Sequence, residues 1–435
     1  MNKKTIRIIT LGCSKNQVDS EKLIGQLPAG RYHLVHDGEG PADVVIVNTC
    51  GFIEDAKQES IDTILQVAEA RKAGAVKEVL VTGCLSQRYL DVLREEIPEV
   101  DAWFGVSQPE DIFSYLHETY KPDSPDRLLS TPAHYAYLKI AEGCDRSCSF
   151  CAIPMIRGPF ASLSVDHLVK EARMLAERGV KELILVAQEL TYYGIDTHGK
   201  PMLAPLLRAL CRVDGISWIR LHYAYPRQFP EEVLEIMADE PKICNYLDIP
   251  LQHINSEILR SMRRGHDREG TLRFIEKIRK QVPGIALRTT LMTGFPGESE
   301  AAFRELMDFV RSERFDRLGV FTYSPEEGTS AYSLGDPVPQ RVKEERAAAI
   351  MELQSGISLE INRSRIGQHL PVLVDREETQ YFIGRTEFDS PEVDNEVLIK
   401  KAPGLAGGRF FNVLITDATE YELFATTETA GASIS

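Results

Sequence analysis

Short apolar runs rich in β-branched residues alternate with amphipathic stretches from residue 6 to about residue 360, and this alternation constrains the chain more than any other feature. Candidate strands at 6–11, 44–47 and 79–81 are interleaved with candidate helices at 19–27, 57–72 and 87–96. Strand–helix alternation places strands parallel, with helices covering both faces of the sheet. After a linker at 121–125 the pattern resumes. Strands are expected at 136–140, 183–186, 218–221, 246–249, 285–291 and 318–322, with helices at 165–178, 268–281, 300–311 and 341–363. Six such units make a barrel-like sheet two units short of a closed eightfold barrel, with an open side for a large substrate. Beyond residue 364 the character changes. Short alternating runs at 370–374, 382–385, 396–400 and 410–416, split by Gly, Pro, Asp and Asn, read as a small antiparallel barrel of the oligonucleotide/oligosaccharide-binding kind. The 435 residues thus divide into an α/β domain at 1–125, a partial (βα)6 barrel at 131–363 and a β-barrel at 364–435.

The net charge of −15 makes the whole molecule a poor default partner for polyanions. Eight cysteines are too sparse for a disulfide scaffold, so cluster, metal or redox roles come first. The apolar run after Met1-Asn2-Lys3-Lys4 is too short for a secretion signal, and no stretch reaches the roughly 18 apolar residues of a membrane span. A cytoplasmic location is expected.

Cys144, Cys148 and Cys151 form a C-x3-C-x2-C loop just after the first barrel strand. Three thiolates on one short loop can ligate three irons of a cubane, leaving the fourth iron open to S-adenosylmethionine. One electron then releases a 5′-deoxyadenosyl radical able to take hydrogen from an unactivated C–H bond. The alternative is a zinc site or a reduced surface loop, although zinc usually takes four ligands and no His lies in this loop. The pattern resembles the radical S-adenosylmethionine superfamily. On that resemblance Thr293, Gly294 and Glu298, in a glycine-containing turn after a strand, are expected to contact the cofactor. Gln188 and Gln252, each after a strand, are further candidates, and His253 joins them. Each could equally be a hydrogen-bonding loop residue.

Cys13, Cys50 and Cys84 fit no local metal spacing, yet each follows the carboxyl end of a predicted strand. In a parallel sheet those ends lie side by side, so the three thiols can converge on a second cluster. The alternative is three inert buried thiols. Cys211 and Cys244 lack partners at ligand spacing and read as core residues.

A cysteine-bearing α/β domain, a radical barrel and a small β-barrel together resemble the methylthiotransferase family, whose last domain is a TRAM domain. The resemblance spans essentially the whole chain. It implies two [4Fe-4S] clusters, with S-adenosylmethionine as radical source and methyl donor, an external one-electron reductant and a sulfur donor. A C–H bond would become C–S–CH3. The stretch from Leu11-Gly12-Cys13-Ser14-Lys15 to Glu21, with Asn48-Thr49-Cys50-Gly51-Phe52-Ile53, is similar to the branch that modifies the β-carbon of an aspartate in ribosomal protein S twelve. A second branch modifies an adenosine of transfer RNA, and a non-enzymatic metal-binding module is a rival of another class. From residue 364 onward six basic side chains face twelve acidic ones, Glu428 included, which disfavours direct RNA binding and suits a basic protein. Two departures from the family pattern stand out. Phe160-Ala161-Ser162-Leu163 replaces a basic run, and Glu189 replaces an Asp.

Overall fold

The computed structural model describes residues 3–106 and 108–427. Glu428 and the rest of 428–435 lie outside the described residues. The first sheet contains β1 (Lys4–Thr10), β2 (Tyr32–His36), β3 (Ala42–Thr49), β4 (Val76–Gly83) and β5 (Ala102–Trp103), all parallel, in the order β2-β1-β3-β4-β5. Successive side chains alternate between its faces. Val45, Val47, Val79 and Val81 pack on one side with Ile64 and Val67, while Ile6, Ile8, Val44 and Ile46 pack on the other with Leu23 and Ile24. Each such buried side chain contributes about 1.5–3 kcal/mol. The connecting helices are α1 (Ser14–Gly25), α2 (Glu54–Lys72) and α3 (Cys84–Glu96). Helix α1 starts five residues before the apolar pattern does, because its first turn buries the polar Lys15 and Asn16.

The barrel-like sheet is also parallel throughout. It contains β6 (Tyr135–Lys139), β9 (Glu182–Val186), β10 (Trp218–Leu221), β11 (Ile243–Gln252), β12 (Ala286–Thr293) and β13 (Arg317–Thr322). A short antiparallel pair, β7 (Ala141–Glu142) and β8 (Ala161–Ser162), brackets the cysteine loop. The gap between the edge strands β6 and β13 is covered on the β6 side. There α1 inserts Val18 among Tyr135, Tyr137, Ile184 and Val186.

The last unit is a closed barrel of β14 (His369–Glu377), β15 (Tyr381–Arg385), β16 (Glu396–Lys400), β17 (Phe410–Ala418) and β18 (Glu422–Thr426). Four of its pairings are antiparallel, and β16 pairs with β18 in parallel. Loop 386–395 and its flanks dock onto the larger barrel near the amino ends of its strands. Arg220 donates to the Glu387 carbonyl (2.6 Å), Arg317 to Asp389 (3.0 Å), Tyr246 to Asp394 (2.7 Å), and Arg385 to Glu182 (2.7 Å). Glu387 also accepts from the Asn245 backbone, Glu392 from Tyr135 and Tyr137, and Asp375 from Arg385. Five of the twelve carboxylates counted beyond residue 364 are therefore bonded inward. The acidic surface open to a partner is smaller than the composition implies, since Asp389 and Asp394 pair with Arg317 and Arg288 of the larger barrel and the other three are held by a backbone N–H, by tyrosines and by Arg385.

Candidate functional site

Cys13, Cys50 and Cys84 meet at the carboxyl edge of the first sheet. Cys13 caps α1, Cys84 opens α3, and Cys50 follows β3, where its backbone exchanges hydrogen bonds with the Ser60 hydroxyl (2.9 and 3.0 Å). Helix N-termini favour negative charge, which suits a thiolate ligand. Gly12 makes the close approach possible: its φ is +90°, and a Cβ there would lie 2.7 Å from Cys50 Cβ and 2.9 Å from its sulfur. Asn16, fully buried, ties the edge together. Its amide donates to the carbonyls of Leu11 (2.8 Å) and Thr49 (3.0 Å), and the Cys84 thiol donates to its Oδ1 at 3.7 Å. The three thiols differ. Burial pushes Cys84 up to about 12 and raises Cys50. Burial also opposes ionisation of Cys13, but Lys15 and Arg157 hold it below the usual thiol value.

Cys144, Cys148 and Cys151 share the loop after β7. Gly143, with φ +71°, lets that loop press on the 158–159 backbone, where a Cβ would come within 2.1 Å of the Pro159 carbonyl oxygen. Two arginines flank the sulfurs. The Arg146 backbone N–H donates to Cys144 Sγ (3.4 Å) and the Arg264 guanidinium to Cys148 Sγ (3.3 Å). Both guanidiniums stack on Tyr225, at 4.3 and 4.4 Å from its ring centre. Burial pushes Cys144 up to about 11 and Cys151 up to about 12.

The triads face each other across one seam. Cys84 packs with Ala152, which directly follows Cys151 in the chain, and with Ile156, five residues after it. Beside the seam a cavity of about 310 Å³ is lined by Asn48, Thr82 and Gly83 on one side and Lys139, Ala141 and Glu142 on the other. Among the described residues no three His, Cys, Asp or Glu side chains close on one point as ligands of a single ion do. A cubane sets no such demand, since each thiolate takes a different iron.

Sequence comparison agrees with this layout. The Radical SAM superfamily model matches residues 138–310, the model described as Uncharacterized protein family UPF0004 matches 5–105, and the TRAM domain model matches 366–427. Proteins named ribosomal protein uS12 methylthiotransferase RimO match nearly end to end. That of Christiangramia forsetii is 54% identical, covering 98% of this chain and 94% of the relative. That of Bacteroides thetaiotaomicron is 50% identical over 98% of both. The chain belongs to the RimO methylthiotransferase family. It is thus a radical S-adenosylmethionine enzyme and a transferase, and membership implies a [4Fe-4S] cluster and S-adenosylmethionine. Among solved structures, the radical S-adenosylmethionine methyltransferase TsrM from Kitasatospora setae shares the fold. Its TM-score is 0.55 at 13% identity, covering 86% of this chain and 79% of that one.

For a RimO-family site, the remaining sequence candidates divide by what their side chains touch. Gln188 lies at the barrel mouth. Its amide nitrogen donates to Glu142 (3.2 Å), and its buried Oε1 has no protein partner among the described residues, as suits an oxygen facing a ligand. Gln252 ends β11 with φ +73° beside a register shift. Thr293 and Glu298 turn toward the helix Gln340–Arg363. Thr293 donates to the Lys343 carbonyl (3.0 Å), while Glu298 accepts from the Gly294 N–H (2.9 Å) and from Arg346 (2.7 Å). These side chains therefore fix the Gly294 turn. His253 orders its own loop, its Nδ1 accepting from the backbones of Ile254 and Asn255 (2.9 Å each). Glu189 is bonded to Arg146 (2.8 Å), so the departure from Asp serves the cysteine loop. Phe160 is buried, and Ser162 bonds Asp196 (2.6 Å), so that run is part of the scaffold. Sequence reasoning missed Asn16, Arg146, Arg157 and Arg264. Their one signal is nearness to a cysteine, or burial that polar residues rarely tolerate unpaired.

Proposed function

We propose that this chain converts the β-carbon C–H of an aspartate in ribosomal protein uS12 into C–S–CH3. Two clusters would serve it, one on Cys144, Cys148 and Cys151 and one on Cys13, Cys50 and Cys84. What carries the reading is that the two triads share a seam, with Cys84 packed on Ala152 and Ile156, one and five residues after Cys151. When bound, the clusters and S-adenosylmethionine supply the one-electron cleavage, the sulfur and the methyl group.

The chain's own residues hold and orient these groups. The Arg146 backbone N–H and the Arg264 guanidinium donate to sulfurs of the barrel triad, and the Arg264 charge would offset the negative charge of an anionic cluster. Glu142 orients Gln188 so that Oε1 faces a ligand's donor. Glu298 fixes the turn whose Gly294 backbone would lie against the cofactor. Helix α1 and loop 386–395 close the barrel from the side and from below, keeping water from a reactive carbon radical. The names of the relatives support a protein substrate. The reaction calls for an external one-electron reductant and a sulfur donor. Among the described residues no helix is long and apolar enough to cross a membrane, and the ribosomal substrate fits a cytoplasmic location.

An anaerobic assay with reductant, S-adenosylmethionine and sulfide, scored by mass spectrometry for replacement of H by SCH3, tests this. Modification of uS12 is expected. Modification of transfer RNA alone would reassign the substrate, and zinc without iron after reconstitution would remove the enzymatic reading.

A further inference from the structure

Arg157 belongs to neither triad and touches both sides of the seam. It ends the helix Ile153–Arg157, six residues after Cys151, and its side chain is 1% exposed. One edge of its guanidinium is held by carboxylates: Nη1 donates to Glu142 (2.9 and 3.0 Å) and to Asp19 (3.1 Å). The other edge points at the N-terminal triad. Nη2 donates to Asn16 Oδ1, the same oxygen that accepts from the Cys84 thiol. Lys139 pairs with Asp19 and Glu142 from the far side, so the carboxylates are shared between two cations.

We propose that Arg157 is a positioning residue through which the barrel domain holds and electrically tunes the cluster of Cys13, Cys50 and Cys84. This rests on the reading above that those cysteines carry a cluster. The carboxylates fix the planar fork so that its other edge, bonded to Asn16 Oδ1, faces the N-terminal triad. A guanidinium keeps its charge when buried and presents paired donors, which an ammonium does not. Donors and positive charge beside cluster sulfurs stabilise the more negative, reduced state and raise the reduction potential. Because Arg157 is on the chain segment that leaves Cys151, it also ties the geometry of one triad to the other.

The test uses the full chain with Cys144, Cys148 and Cys151 replaced by Ala, so that the N-terminal triad is read alone. Its midpoint potential is followed by electron paramagnetic resonance, and iron release to a chelator by absorbance. Arg157→Gln is expected to shift the potential negative and to speed iron release roughly tenfold. Arg157→Lys keeps the charge and loses the fork, so release should quicken with a smaller potential shift. If Arg157→Gln fails to fold, the release rate of Arg157→Lys decides. Unchanged potential and release would overturn the positioning role while leaving the cluster in place. A parent chain that binds no iron would overturn both the inference and the reading beneath it.

Discussion

The two triads are built on opposite plans. The barrel triad sits on one loop of eight residues, whereas the other gathers cysteines 37 and 34 residues apart from the ends of three parallel strands. A loop triad needs only its loop to be folded. A distributed triad exists only when β1, β3 and β4 are in register and α1 and α3 start where they do. The first is a property of a motif, the second of a fold.

Replacing any one of the six cysteines by Ala should abolish methylthiolation and remove about half of the roughly eight irons bound after reconstitution. Iron analysis of all six variants checks this, and the remaining half should belong to the untouched triad. Gly12→Ala should separate the two plans. It forces a Cβ onto Cys50 at a positive φ, costing about 1–3 kcal/mol, and iron should fall only at the N-terminal triad. A loss at both triads would show that they assemble together.

Reactivity offers a finer contrast. In the metal-stripped chain Cys13, held low by Lys15 and Arg157 against its burial, should be alkylated about tenfold faster than Cys84 or Cys151 near pH 7.5. Peptide mapping measures the ratio. Stability against pH follows from the same shifts. Cys84 and Cys151 rise from 9.0 to about 12 and Cys144 to about 11, so the folded state holds those protons more tightly than the unfolded state. The stability they contribute is full below about pH 9 and is lost as pH rises toward 12. The stripped chain should therefore melt lower at about pH 10.5 than at about pH 8, and less steeply with Cys84 and Cys151 replaced by Ala. The smallest effect is expected from Cys211→Ala, buried outside both triads. It should leave iron unchanged and cost about 1 kcal/mol in a denaturant melt.

The same division decides what the sequence made legible. The barrel triad is readable directly, because its spacing is local. The second triad is readable only through the strands, since alternation placed each cysteine at a strand's carboxyl end. Asn16 and Arg157 escaped because side-chain partners far apart in sequence leave no periodic trace. Strand β2 escaped because it is a short edge, and β18 because its run sits among polar turn residues. The acidic excess beyond residue 364 was misleading for a related reason: charge counts do not say which carboxylates face inward. Thr293 and Glu298 were found by motif, but what they touch depends on Lys343 and Arg346, some fifty residues on.

Loop 386–395 carries a consequence for how the molecule is made. Arg220 waits 167 residues for the Glu387 carbonyl, and Arg317 waits 72 for Asp389. On the ribosome the barrel therefore emerges with Arg220 paired to Glu182 but short of a carbonyl acceptor, and with Arg317 still lacking the carboxylate of Asp389 until the last domain is synthesised. A chain released early would hold both sets of cysteines around an unsealed barrel. The C-terminal domain thus supplies the last polar partners of the larger barrel, and Arg317 is buried against a carboxylate only once Asp389 has been made.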